Sequence, residues 1–324
     1  MKRTRQSGIA LITAVLVVAL AAIAAAAILT SANLAIHRTQ NLQESELGWW
    51  YLDGVESWVK TILARDAEMN KYDSLKDIWA MPAALPVDEG GLRGTISDLQ
   101  GRYNINNLGL SQLVAAGAGG AQTGSTGYQG EKALFTRLYV LATGGDAYQG
   151  EQLADAIRDY IDTDSEPTGS GGGEDADYLG MDPPRRVPNQ PLQSVSELLS
   201  VRGMTPDIYA KLAPNLSALP ELTQVNVNTA TPMLLQSLTP QPGADIEKFA
   251  TERLQEPAES TADFNKRVQL GSGAVTAGMI SVSSSYFVLQ VEAYIGSGRL
   301  ELYSFYHRPG TATPTVYGRS TFTE

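Results

Sequence analysis

Twenty-eight consecutive positions, Ile9 to Ile36, carry no charge, and this run constrains the chain more than any other feature. Ala, Leu, Val and Ile fill it, with only Thr13, Thr30, Ser31 and Asn33 polar. As a helix rising about 1.5 Å per residue, roughly 20 such residues already cross the hydrocarbon core of a bilayer. A secretory signal has an apolar region of only about 7–15 residues before a small-residue cleavage site, so the run reads as a retained membrane anchor. Lys2, Arg3 and Arg5 precede it, which puts the N-terminus on the cytoplasmic side and the remainder outside.

The chain of 324 residues is 43% hydrophobic and 18% charged, a globular composition. Net charge is −11, and without the three leading basic residues the balance is 21 basic against 35 acidic. Such a field repels phosphate backbones and argues against nucleic acid as a partner. Cysteine is absent, which removes disulfides, thiolate metal sites, iron–sulfur clusters and cysteine nucleophiles together.

Beyond the anchor, Leu47, Trp50, Tyr51, Val55, Trp58 and Ile62 recur at spacings of three and four, which predicts a continuing helix with one apolar stripe that packs on a sheet. Pro82 and Pro86 end this region, and Gly90-Gly91 opens a strand from Leu92 to Leu99. Near the C-terminus, strict alternation from Ser285 to Tyr294 sets Phe287, Leu289, Val291 and Ala293 on one face, with Ile280 to Ser284 as the start of the same strand. Ile295-Gly296-Ser297-Gly298 makes a turn, and Arg299 to His307 runs back. Between these strands, Glu131–Leu141, Glu151–Ile161, Ser194–Val201 and Pro206–Leu212 have helical periodicity, while Ala116–Gly130 reads as a Gly-rich loop. So much helical sequence between strands of one sheet predicts an inserted domain.

From Asp155 to Asp182 nine acidic residues face one basic residue, Arg158. A solvated acidic loop and a divalent-cation site are both open here. In the second reading Asp162, Asp164, Glu174 and Asp175 supply oxygens across the Gly169–Gly173 hinge, with Asp177 or Asp182 able to replace any of them. An EF-hand is excluded, because the spacing from Asp162 lacks its glycine and terminal glutamate. Catalysis has little support: His37 and His307 have no second ligand at metal spacing, and the four tryptophans belong to the anchor helix and its packing. An anchored periplasmic hydrolase and a polymer-binding module are the alternatives.

A short basic leader ending in Ser7-Gly8, followed at once by the hydrophobic helix, resembles the prepilin-type signal of pilins and pseudopilins. In that family a membrane peptidase cuts after the glycine and methylates the new amino terminus, here Ile9. Most members carry glutamate at the fifth mature position, where this chain has Thr13. The K subunit of type II secretion typically lacks it. Further strings follow in the order found in the general secretion pathway protein K family: Asp98 to Leu108, Tyr160 to Asp164, Gly173-Glu174-Asp175 with Tyr178, Pro183-Pro184-Arg185, Asn189 to Leu192, Ser196-Glu197-Leu198, and Val225 to Ala230.

The resemblance implies an α+β pseudopilin fold, a long N-terminal helix plus a small antiparallel sheet, with a large inserted, mainly α-helical domain. The expected parts are a leader (1–8), a transmembrane helix (9–36), a periplasmic helix and first strands (37–100), the insertion with the acidic loop (101–275), and the C-terminal strands (276–324). It also implies structural Ca2+ in the acidic loop and no enzyme activity. The location would be a single-pass protein of a Gram-negative inner membrane with its C-terminal domain in the periplasm. Expected partners are the prepilin peptidase and the minor pseudopilins I and J, with which this subunit would cap the pseudopilus, and the stripe from Leu47 to Ile62 is the expected partner surface. The strings around Val201-Arg202-Gly203-Met204 and Val225–Ala230 also resemble helix-hairpin-helix modules. Arg202 and Lys211 are too sparse for DNA, so a structural or protein-contact role is expected.

Overall fold

The computed structural model describes residues 7–109, 124–271 and 273–321. Helix α1 (Ser7–Met69) is 63 residues long, about 95 Å at the usual rise. From Ile9 to Gln43 it is exposed on all sides, and it includes a window of mean hydropathy 2.8 with none of it buried. It first meets the rest of the chain at Glu44, whose carboxylate accepts from Ser297 N at 3.0 Å, and closes on it at Gly48, where a Cβ would lie 2.5 Å from Leu300 Cδ1. The lack of a side chain lets the helix descend onto a sheet.

The sheet begins with β1 (Ala83–Val87) and β2 (Gly90–Asp98). The chain then leaves it through β3 (Tyr103–Asn104), α2 (Gly124–Thr143), α3 (Ala147–Ile161), α4 (Asp175–Leu179), α5 (Pro206–Leu212), β4 (Leu216–Ser217) and β5 (Val225–Asn226). Helices α6 (Pro232–Ser237), α7 (Ala244–Glu252) and α8 (Thr261–Val268) and strand β6 (Ile280–Ser281) complete the excursion. It returns through β7 (Tyr286–Ile295), β8 (Gly298–His307) and β9 (Thr315–Ser320). The sheet order is β1-β2-β7-β8-β9, antiparallel throughout, and Asp98 at the end of β2 lies opposite Phe287 near the start of β7.

Two cores result. In the first, Leu52, Val55, Val59 and Leu63 of α1 pack on Phe287, Leu289, Val291 and Ala293, the face of β7 that alternation predicts. Trp79 closes this core edge-on to Phe287, with ring centroids 5.2 Å apart. The second core belongs to the excursion and is built around Phe135, Leu138, Ile157, Leu198, Leu234 and Phe249.

Buried side-chain amides hold the second core's loops together. Asn106 donates to the carbonyls of Leu192 and Leu219 and accepts from Leu192 N. Asn104 accepts from Leu219 N and donates to the Glu221 carbonyl, while Asn228 exchanges a reciprocal pair with Ala258. At the junction of the two parts, Asp98 Oδ2 accepts from Ser284, Thr229 and Asn226. Arg308 is 4% exposed and reaches both Asp66 and Asp73.

Several sequence expectations are corrected. Ile280-Ser281 does not start β7 but pairs in parallel with Val225-Asn226. The next residues are diverted, because Ser284 N donates to Asp73 and Ser285 N to Gln100 instead of to a sheet neighbour. Pro86 does not end the region but lies in β1, an edge strand, where a missing N–H is tolerated. Ser194–Val201 forms a 3-10 helix (Val195–Ser200) and not an α-helix. Of the expected Gly-rich loop, 124–130 are helical and 116–123 lie outside the described residues.

Glu131 of α2 is 6% exposed, and its Oε2 has no hydrogen-bond partner. Asn107 reaches Oε1 at a long 3.5 Å. Burial raises its pKa from 4.5 to about 7, so the fold favours the protonated acid. The stability it contributes is complete below about pH 4.5 and is lost as pH rises through about 7. Glu131→Gln, neutral at every pH, is therefore expected to match the parent in mild acid and exceed it by on the order of 1–3 kcal/mol at pH 8. Denaturant melts at the two pH values check this, and parallel curves for the two proteins would refute it.

Candidate functional site

Asp146 caps α3 by accepting from Gln149 N, and the helix lays Leu153, Ala156 and Ile157 into the second core. Its other face carries Asp155, Arg158, Asp159 and Asp162, spaced i, i+3, i+4 and i+7 and all buried. Asp162 is the C-cap residue, where the chain turns away. The return passes Gly169, at φ +57, where a Cβ would collide with the Asp155 carboxylate. Glu174 then caps α4 in a reciprocal capping box with Asp177.

This path gathers Asp159, Asp162 and Glu174, each buried, with carboxylate oxygens within 4.8 Å of one another. Asp162 Oδ1 and Glu174 Oε1 have no hydrogen-bond partner. Three other oxygens of the cluster are engaged: Asp162 Oδ2 accepts from Arg158 Nε at 3.3 Å, and both Asp159 oxygens accept from Thr168 N at 3.1 and 3.0 Å. Burial, then the charges of Asp164 and Asp159, push Asp162 up to about 6. Burial and the neighbouring carboxylates push Glu174 up to about 7. Like charges crowded out of water are relieved by protons or by a cation. An all-oxygen donor set with two unpartnered carboxylate oxygens suits a hard cation such as Ca2+ and not a thiolate- or imidazole-seeking metal.

Of the four residues expected as ligands, Asp162 and Glu174 come together. Asp164 is exposed, its Oδ1 accepting from Glu166 N, and Asp175 Oδ1 accepts from Val187 N at 3.0 Å, so neither joins the cluster. Asp159 takes their place. The signal for it was helical, three residues before Asp162 on the same face, whereas the expectation looked along the loop. Asp155 is neutralised separately by Lys132 Nζ at 2.6 Å and Tyr128 OH at 2.6 Å. A second acidic group, Asp66, Asp73 and Asp77, already has a cation in it, the Arg308 guanidinium.

The apolar stripe on α1 is split by the sheet. Val55 is 8% exposed and belongs to the first core, which corrects its assignment to an exposed partner surface: the packing line runs Leu52, Val55, Val59, Leu63. Trp50 at 74%, Trp58 at 46% and Leu47 at 37% exposed lie off that line, with Tyr51 and Ile62 half-buried between. Ile78, Met81 and Leu85 extend the exposed apolar surface beside Trp58 across to the edge strand. Gly8 and Ile9 lie in the first turn of α1, and the Thr13 hydroxyl donates to the carbonyls of Ile9 and Ala10. His307 stacks on Tyr286 at 4.7 Å as a packing residue.

The family model for type II secretion system (T2SS), protein K matches residues 101–221. The type II secretion system protein K of Aeromonas hydrophila is 32% identical over 94% of this chain and 93% of its own. That of Pseudomonas aeruginosa is 33% identical over 94% and 90%. A chain in the crystal structure of the GspK-GspI-GspJ complex from the enterotoxigenic Escherichia coli type 2 secretion system superposes with a TM-score of 0.71 at 26% identity, covering 89% of this chain and 100% of that one. The long helix, the antiparallel sheet and the helical insertion constitute a pseudopilin fold. Similarity along nearly its whole length makes the chain a member of the type II secretion system protein K family.

Proposed function

We propose that this chain is a minor pseudopilin that caps the periplasmic pseudopilus together with the minor pseudopilins I and J, in a mechanical rather than catalytic role. The observation that carries the reading is the likeness, over 89% of the chain, to a chain from the GspK-GspI-GspJ complex. The apolar first half of α1 supports anchoring in the inner membrane with the head in the periplasm. Thr13 supports a position at the tip. A hydroxyl has no charge to offer a neighbouring amino terminus in the apolar bundle, and this one is spent on its own helix.

Three outcomes are expected. Intact mass of protein taken from its own membranes should begin at N-methylated Ile9, the product of cleavage after Gly8; a start at Met1 would overturn prepilin processing. Second, the full-length chain should form a stable ternary complex with the I and J subunits. Replacing exposed Trp50 and Trp58 with Asp should weaken it by about tenfold or more at unchanged melting temperature. An intact complex from the double variant would remove this face as the partner surface.

Third, we assign Asp159, Asp162 and Glu174 to a structural Ca2+, to which they would contribute carboxylate oxygens. Saturating Ca2+ at roughly 100 times its Kd should stabilise the chelated protein by about 2.7 kcal/mol. Asp159→Asn and Glu174→Gln should abolish that response, whereas Asp164→Asn should keep it. Equal melting with Ca2+ and with chelator would refute the assignment.

A further inference from the structure

The turn Val201–Met204, which resembles a DNA-backbone hairpin, is used inward. Gly203 sits at φ +85, a conformation that suits glycine, and Met204 N closes the turn on the Val201 carbonyl at 3.1 Å. The side chain of Arg202 is thereby aimed at the acidic loop. Its Nη2 donates to the carbonyls of Gly171 and Gly172, and its Nη1 to Asp177 Oδ1 at 2.8 Å. Its backbone N–H donates to Tyr178 OH at 3.0 Å. Gly173 leaves room for the guanidinium, since a Cβ there would stand 2.9 Å from Cζ.

These contacts fall on both sides of one residue. Gly171 and Gly172 precede Glu174, while Asp177 and Tyr178 follow it, so the fork brackets the segment that carries Glu174. Asp159 and Asp162 are fixed by α3 and its cap. Glu174 comes from a glycine-rich return, and the repulsion of the two other carboxylates favours its displacement. Arg202 makes no hydrogen bond or ion pair with the three clustered carboxylates; it grips the backbone and the helix start around one of them.

We propose that Arg202 is a positioning residue that holds Glu174 against Asp159 and Asp162 before a cation arrives. The planar fork spans three acceptors, which an ammonium cannot do in the same geometry. The proposal rests on the Ca2+ reading. Arg202→Lys is the informative variant, because it keeps the charge near the ion and removes only the fork.

The test uses the full-length protein in detergent. Ca2+ binding is measured by calorimetry, and amide exchange is followed with chelator present. Arg202→Lys is expected to weaken Ca2+ binding by about tenfold, the usual scale for a residue that orients metal ligands. Without the ion it should speed exchange across residues 168–178, while exchange in α3 stays at the parent rate. Gly173→Ala, which displaces the guanidinium, should act in the same direction. Parent Ca2+ affinity in Arg202→Lys, with Ca2+ bound by the parent, overturns the positioning role alone. A parent protein that takes up no Ca2+ overturns the cation reading and the positioning role with it.

Discussion

The insertion depends on buried amides that substitute for a sheet. Its strands are only two residues long: Tyr103-Asn104 against Leu216-Ser217, and Val225-Asn226 against Ile280-Ser281. Ladders this short leave most backbone groups of the intervening loops unpaired, and a buried unpaired group costs about 1–3 kcal/mol. Asn104, Asn106 and Asn228 each offer donors and an acceptor from one side chain and satisfy carbonyls and N–H groups of distant loops together. The apolar residues between them, Ile105 and Val227, can then be wholly buried.

Charge is handled in the same way at the junction between insertion and head. Arg308, at the end of β8, reaches the Leu63 carbonyl and Asp66 on α1 as well as Asp73 beyond it. Asp98 collects three donors from the insertion and from the approach to β7. At the edge strand β9, Arg319 makes a two-pronged pair with buried Glu56 of α1, at 2.8 and 2.7 Å. The guanidinium forks thus join elements remote in sequence. Removing one partner of such a pair would strand the other in a poorly solvated place.

What could be read in the sequence divides along physical lines. The anchor, the alternating face of β7 and the turn at Gly296-Ser297 were legible, since periodicity and turn chemistry are local. The stripe on α1 was legible as helical but misjudged in phase. Spacing alone put Trp50, Val55 and Trp58 on one stripe, whereas the packing line is Leu52, Val55, Val59 and Leu63 and leaves the two tryptophans exposed. The string Tyr103-Asn104-Ile105-Asn106-Asn107 carried a family resemblance without a reason; its partners lie around Leu192 and from Leu219 to Thr223, and no local rule supplies them. In the acidic cluster, loop spacing singled out Asp162, Asp164, Glu174 and Asp175, of which the fold gathers Asp162 and Glu174. Asp159 was passed over because its contribution depends on the helix ending where it does.

The chain leaves the head at Asp98 and re-enters near Phe287, and these residues face each other on adjacent strands. To the sheet, the whole excursion is therefore one long hairpin connection whose two ends are already side by side. Connections of this kind tolerate large changes in length, because closure entropy grows only slowly with loop size. The insertion brings its own core, so its contents could change while the register of β2 and β7 stayed the same. The head is in this sense a socket, and a fibre subunit can acquire a new exterior by exchanging what is plugged into it.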